Sequence, residues 1–149
     1  MNRGILFVWL AALSVMTSAI AGERIEYLNS SGTLPDNLPF SAAVRVGNTL
    51  YLSGQVGVLP GTMKLAPGGL EAEALQVMKN IEAVLHANGY KLKHLVKCTV
   101  MLADIADWAA FNVVYQDFLQ KPYPARSAFG TSGLGLGARL EVECMAAKE

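Results

Sequence analysis

Arg126 stands in a short apolar segment, Pro124-Ala125-Arg126-Ser127, and a carboxylate pair follows it in Leu140-Glu141-Val142-Glu143. A guanidinium can grip a small carboxylate through two parallel hydrogen bonds. A nearby glutamate can hold a water or move a proton. These residue types together point to chemistry on a small carboxylic acid. The competing reading is an exposed Arg–Glu pair, a common surface feature worth about 0–1 kcal/mol. Asn112 is a further candidate, because it interrupts an apolar helical stripe between Phe111 and Tyr115, where a polar group needs partners. Ser53 and Gly54 end a strand, a place that also suits a plain bulge or turn.

These residues must be positioned by an alternation of strands and helices. Residues 42–46 and 49–53 read as a hairpin about Gly47-Asn48. Ala74, Val77, Met78, Ile81 and Leu85 form the stripe of a helix over 70–88, with Gly89 as its stop. A strand over 95–102 follows, and Asp104 suits the N-cap of a second helix over 105–120. Trp108, Phe111, Tyr115 and Phe118 form that helix's apolar stripe, and Lys121-Pro122-Tyr123-Pro124 ends it. The last strands are 125–129 and 140–147, while 23–37 reads as an arm or irregular start. Two helices on one sheet face make an α+β sandwich. The other face would carry Thr99, Met101, Glu141, Glu143 and Met145, a mixture that packing against further subunits would explain.

The 149-residue chain opens like a secretory leader: Arg3, an apolar run over 5–15, and the small-residue site Ala19-Ile20-Ala21. The run is short for a membrane span of about 20 residues, although an uncleaved anchor is the alternative. Cleavage after Ala21 would leave one domain, 22–149, in the periplasm or outside the cell. It would hold eleven basic and twelve acidic residues, a net charge of −1, which argues against general nucleic-acid binding. The basic patch of Lys91, Lys93, His94 and Lys97 reads as a solvated turn. Cys98 and Cys144 are the two cysteines, with no metal-ligand spacing to His86 or His94. Strand alternation places Cys98 with Val96, Val100 and Leu102, and Cys144 with Leu140, Val142 and Ala146, all on the apolar face. They would pair if their strands were adjacent. The demanding geometry of a bridge favours two buried thiols.

Four segments in order carry a family resemblance. The Pro-Ala-Arg-Ser and Leu-Glu-Val-Glu segments, Tyr51-Leu52-Ser53-Gly54-Gln55, the strand from Val96 to Asp104, and the helix from Trp108 to Phe118 with Asn112 inside resemble the Rid (YjgF/RidA) family of enamine/imine deaminases. The likeness runs from about 39 to 147. It implies a homotrimer whose sheets meet around a central barrel, with three sites in the clefts between subunits. It implies that Arg126 holds the substrate carboxylate, that Glu141 orients the attacking water, that Ser53 and Gly54 line the pocket, and that Asn112 buttresses the cleft by bonding backbone. Glu143 shares the face of Glu141, and one of the two is then structural. Two positions depart from the family pattern: Phe40 stands where a tyrosine is usual, and Ala128 where a cysteine is usual. The loop over 130–137 is rich in glycine but lacks the dinucleotide-binding spacing.

The resemblance implies hydrolysis of small 2-imino acids to 2-keto acids and ammonia, with no metal or organic cofactor. A non-catalytic module that binds small carboxylates on the same scaffold is the alternative, favoured by the missing tyrosine and cysteine. A ribonuclease, an activity ascribed to some relatives, is disfavoured by the charge and the lack of a histidine pair.

Overall fold

The computed structural model describes residues 24–29, 32, 35 and 37–149. The leader expected over 1–21 lies outside them. Strand β1 (Ile25–Leu28) comes first, then the hairpin of β2 (Ala43–Val46) and β3 (Thr49–Leu52), a short β4 (Gln55–Val56) and helix α1 (Gly69–Ala87). Strand β5 (Leu95–Leu102), helix α2 (Trp108–Phe118), β6 (Ala125–Gly130) and β7 (Leu140–Ala147) complete the domain. The sheet runs β1-β2-β3-β7-β5-β6, and β4 also pairs with β7. Among the described residues only the β5–β6 pair is parallel, as a crossover through α2 requires.

Helix α1 forms because Ala74, Val77, Met78, Ile81, Val84 and Leu85 recur at helical spacing and are all buried. It stops where Gly89 takes φ +76°. There the Gly89 and Tyr90 N–H groups donate to the carbonyls of His86 and Leu85. The stripe packs on Leu50, Leu52, Cys98, Val100, Leu102, Leu140, Val142 and Ala146, one face of the sheet, with Phe111 and Tyr115 of α2 beside it. Burial alternates along β7, so Glu141, Glu143 and Met145 fall on the face that no helix covers. Thr99 and Met101 lie opposite Glu143 and Glu141 on β5 and share that face.

Four expectations are corrected. Residues 25–28, read as irregular, pair with β2, and Glu26 accepts an ion-paired hydrogen bond from Arg45 at 2.9 Å across the two strands. Val96, expected on the apolar face, is 45 % exposed, because the β5–β7 register shifts between Leu95 and Lys97. That bulge puts Leu95 and Cys98 on the same side although they are three residues apart. The second helix begins as a 3-10 turn, Ile105–Asp107, under an Asp104 side chain that accepts from the Ala106 N–H. Trp108 then opens α2 and stays 45 % exposed instead of joining the core. Among the described residues no helix is long and apolar enough to cross a membrane.

The fourth correction is Cys98 and Cys144, which form a disulfide rather than two buried thiols. They stand directly opposite each other in the β5–β7 ladder, with Cα atoms 4.1 Å apart. The bridge closes a separation of 46 residues, which restricts the unfolded chain by about 4 kcal/mol in the chain-entropy account. Replacing both cysteines by alanine is therefore expected to lower the unfolding free energy by about 3–4 kcal/mol, read from urea midpoints. A loss below about 1 kcal/mol would mean that the bridge constrains little.

Candidate active site

Strand β6 is the sheet edge, and Arg126 is its second residue. Its register partner is Cys98, so the Arg126 side chain rises on the helix-covered face. There the guanidinium carbon lies 4.8 Å from the ring centre of Tyr115, 5.8 Å from that of Trp108 and 6.0 Å from that of Phe111. Among the described residues it has no carboxylate partner: the ion-paired arginines are Arg45 and Arg139. Aromatic faces hold a guanidinium by cation–π attraction without occupying its N–H groups. The donors of Arg126 thus stay available for an incoming anion.

The guanidinium opens on a cavity of about 360 Å3, lined also by Trp108, Asn112, Tyr115, Gln116, Tyr123 and Pro124. Asn112 Oδ1 and the Tyr115 hydroxyl are buried and, among the described residues, unpartnered. Burial pushes the Tyr115 hydroxyl above its ordinary pKa, and Arg126 opposes that shift. The resemblance implies that Asn112 bonds backbone; its oxygen, beside the cavity, has no partner among the described residues. Ala128, two residues past Arg126 on the same face, packs against the core.

Glu141 is built on the opposite face. It lies across from Met101 on β5 and Val56 on β4. Strands β3 and β4 both pair with β7, and Ser53-Gly54 bridges the gap between them. The Ser53 hydroxyl donates to the Ser41 carbonyl at 2.7 Å and the Ser53 N–H to that of Ala42 at 3.0 Å. Ser53 therefore pins the segment carrying the exposed Phe40. Gly54 leaves room for the Glu141 carboxylate: a Cβ on Gly54 would sit 1.9 Å from Glu141 Oε1. Two buried polar side chains of α1 fix this corner. Asn80 donates to the carbonyls of Val56 and Val58, and Glu73 accepts from the Arg139 N–H at 2.8 Å. Burial, then the neighbouring Glu143, pushes the Glu141 carboxyl above the ordinary carboxylate range. Such a carboxylate is a better proton acceptor than an exposed one.

Within one chain the site is therefore in two halves. Arg126 and Asn112 share one face, and Gly54 and Glu141 share the other, with β5 between β6 and β7. Sequence reasoning missed Trp108, Tyr115 and Tyr123 as cavity residues. The spacing 108, 112, 115 already placed the first two on one helix face with Asn112.

The fold and the two half-sites define a class: an α+β protein with an arginine that has no carboxylate partner among the described residues on one sheet face and a partly buried glutamate on the other. Residues 32–148 match the family model described as Endoribonuclease L-PSP. The 2-iminobutanoate/2-iminopropanoate deaminase of the goat, Capra hircus, is 44 % identical over 108 residues, 72 % of this chain and 79 % of that one. The chloroplastic Reactive Intermediate Deaminase A of Arabidopsis thaliana is 36 % identical over 136 residues, 91 % of this chain and 71 % of that one. The crystal structure of RidA from an Antarctic Psychrobacter superposes with a TM-score of 0.78 at 38 % identity, covering 83 % of this chain and 99 % of that one. The chain belongs to the Rid (YjgF/RidA) family.

Proposed function

We propose that this protein hydrolyses 2-imino acids and their enamine tautomers to 2-oxo acids and ammonia. The observation that carries this reading is the Arg126 guanidinium, held by aromatic faces with no carboxylate partner among the described residues, at an open cavity. The names of the deaminase relatives support it. Arg126 takes the carboxylate. Glu141 removes a proton from a water that it holds with a backbone carbonyl, and the oxygen adds to the imine carbon. The proton passes to nitrogen, the carbinolamine collapses to the oxo acid, and ammonia leaves. Imines are already reactive, so orientation and one acid–base group suffice, the latter supplying about 10²–10⁴-fold.

The complete site forms between copies of the chain in a homotrimer. Arg126 and Glu141 on opposite faces support this, because one protomer cannot bring them to one substrate. The uncovered face, with half-exposed Tyr51 beside Thr99, Met101 and Met145, supports it too. The chain acts in the periplasm or outside the cell, a reading supported by the apolar leader and by the disulfide. The family description also names an endoribonuclease, but neither His86 nor His94 lines the Arg126 cavity. A module that only binds small carboxylates is favoured by Phe40 and Ala128, which lack the usual hydroxyl and thiol.

The test is ammonia release from freshly generated 2-iminopropanoate and 2-iminobutanoate, followed against pH. Turnover should need ionised Glu141. The raised pKa therefore places the acid limb above the ordinary carboxylate range, with activity lost as pH falls through it. Glu143→Gln should move that limb to lower pH by removing the neighbouring charge. No acceleration at any pH would leave the binding module as the function.

A further inference from the structure

The cavity beside Arg126 is more aromatic than a three- or four-carbon acid requires. Trp108 and Tyr123 line it, 45 % and 44 % exposed, so each leaves surface open to a ligand, although Trp108 also lies 5.8 Å from the Arg126 guanidinium carbon. Trp108 opens α2 and Tyr123 follows its end, with Asn112 and Tyr115 on the helix face between them. The cavity is thus a slot along α2, with Arg126 on its wall. Its volume of about 360 Å3 lies in the range of about 300–1,000 Å3 typical of pockets that enclose drug-sized ligands. A carboxylate on Arg126 with a methyl or ethyl side chain would leave most of it empty. Cationic groups do not line the slot apart from Arg126 itself, so a charged side chain would find no partner there.

We propose that Trp108 and Tyr123 set specificity, and that the preferred substrates are 2-imino acids with a flat aromatic side chain. The inference rests on the deaminase reading for the chemistry, but the preference is a property of the slot alone. With the carboxylate on Arg126, the ring slides along α2 and stacks on Trp108 or Tyr123. One well-placed aromatic pair is worth up to about tenfold in affinity.

Stable 2-oxo acids, which share the carboxylate and planar second carbon of the imines, separate the two readings. Pyruvate and phenylpyruvate would be titrated calorimetrically into the wild-type protein, Trp108→Ala, Trp108→Phe and Tyr123→Ala. We expect phenylpyruvate to bind the wild type at least tenfold more tightly than pyruvate. Trp108→Ala and Tyr123→Ala should each shrink that ratio severalfold, and Trp108→Phe, which keeps a flat face, should retain most of it. Binding of both acids with no aromatic preference would overturn the proposal and leave the carboxylate site standing. So would a ratio unchanged in both alanine variants, since Trp108 would then serve only to hold Arg126. Failure of both acids to bind the wild type would overturn the carboxylate site and the proposal together.

Discussion

Arg126→Ala is expected to cut imine turnover by orders of magnitude while the protein stays folded. Two charge-assisted hydrogen bonds to a carboxylate contribute about 3–5 kcal/mol, so kcat/KM should fall by about two to four orders of magnitude. The fold should hardly notice. The guanidinium is only partly buried and has no ion pair among the described residues, and its attraction to the rings of Tyr115, Trp108 and Phe111 is worth about 1–2 kcal/mol at most. Arg126→Lys keeps the charge but offers a single point rather than a planar fork, and should fall between the two. Ammonia release and thermal unfolding, measured on the same preparations, separate the effects. An alanine variant with more than a tenth of wild-type kcat/KM would remove Arg126 from substrate binding.

Gly54→Ala should be as damaging to activity, for a different reason. The added Cβ would meet Glu141 Oε1 at 1.9 Å and Cδ at 2.8 Å. These atoms are the far end of a flexible side chain, so the carboxylate swings away and the backbone stays in place. Gly54 has no positive φ, and alanine strains nothing locally. The expected result is a loss of about 10²–10⁴-fold in turnover, the worth of a positioned acid–base group, with stability changed by less than about 1 kcal/mol. Gly57→Ala is the contrast. Its Cβ would sit 2.7 Å from the Glu73 Cα, backbone that cannot move without displacing α1. That variant should lose several kcal/mol of stability, of the order seen for overpacked cores. If Gly54→Ala and Gly57→Ala unfold at the same denaturant concentration, the assignment of room for the Glu141 carboxylate to Gly54 fails.

Elements with a strong period were legible in the chain itself. Residues 95–102 were read as a strand and form β5 over the same residues, and α1 differs from its expected span by one residue at each end. Gly89 and Asp104 announce chain reversals through chemistry that needs no tertiary context. What escaped depends on neighbours. Ile25–Leu28 is four residues long, and only its partner β2 makes it a strand. The bulge at Val96 breaks the alternation that otherwise predicts which side chains point inward. The cysteine bridge follows from register, which no single strand contains. Arg126 and Glu141 were recognised by their chemistry and by resemblance. That they rise on opposite faces follows from register: Arg126 pairs with Cys98 and Glu141 with Met101, three residues apart on β5, a fact of pairing rather than of spacing in the chain.

The cysteine bridge has a consequence for the chain's biography. Cys98 sits opposite Arg126 in one ladder and opposite Cys144 in the other, so the bond lies inside the sheet between β5 and β7, nearly inaccessible once the domain has folded. Thiols that meet there must be oxidised while the chain is still open enough for an oxidant to reach them. A molecule that matured among reducing partners and one that matured beyond them would carry the same atoms save two hydrogens. The closed bond would then serve as a lasting stamp of the compartment in which each copy first took shape.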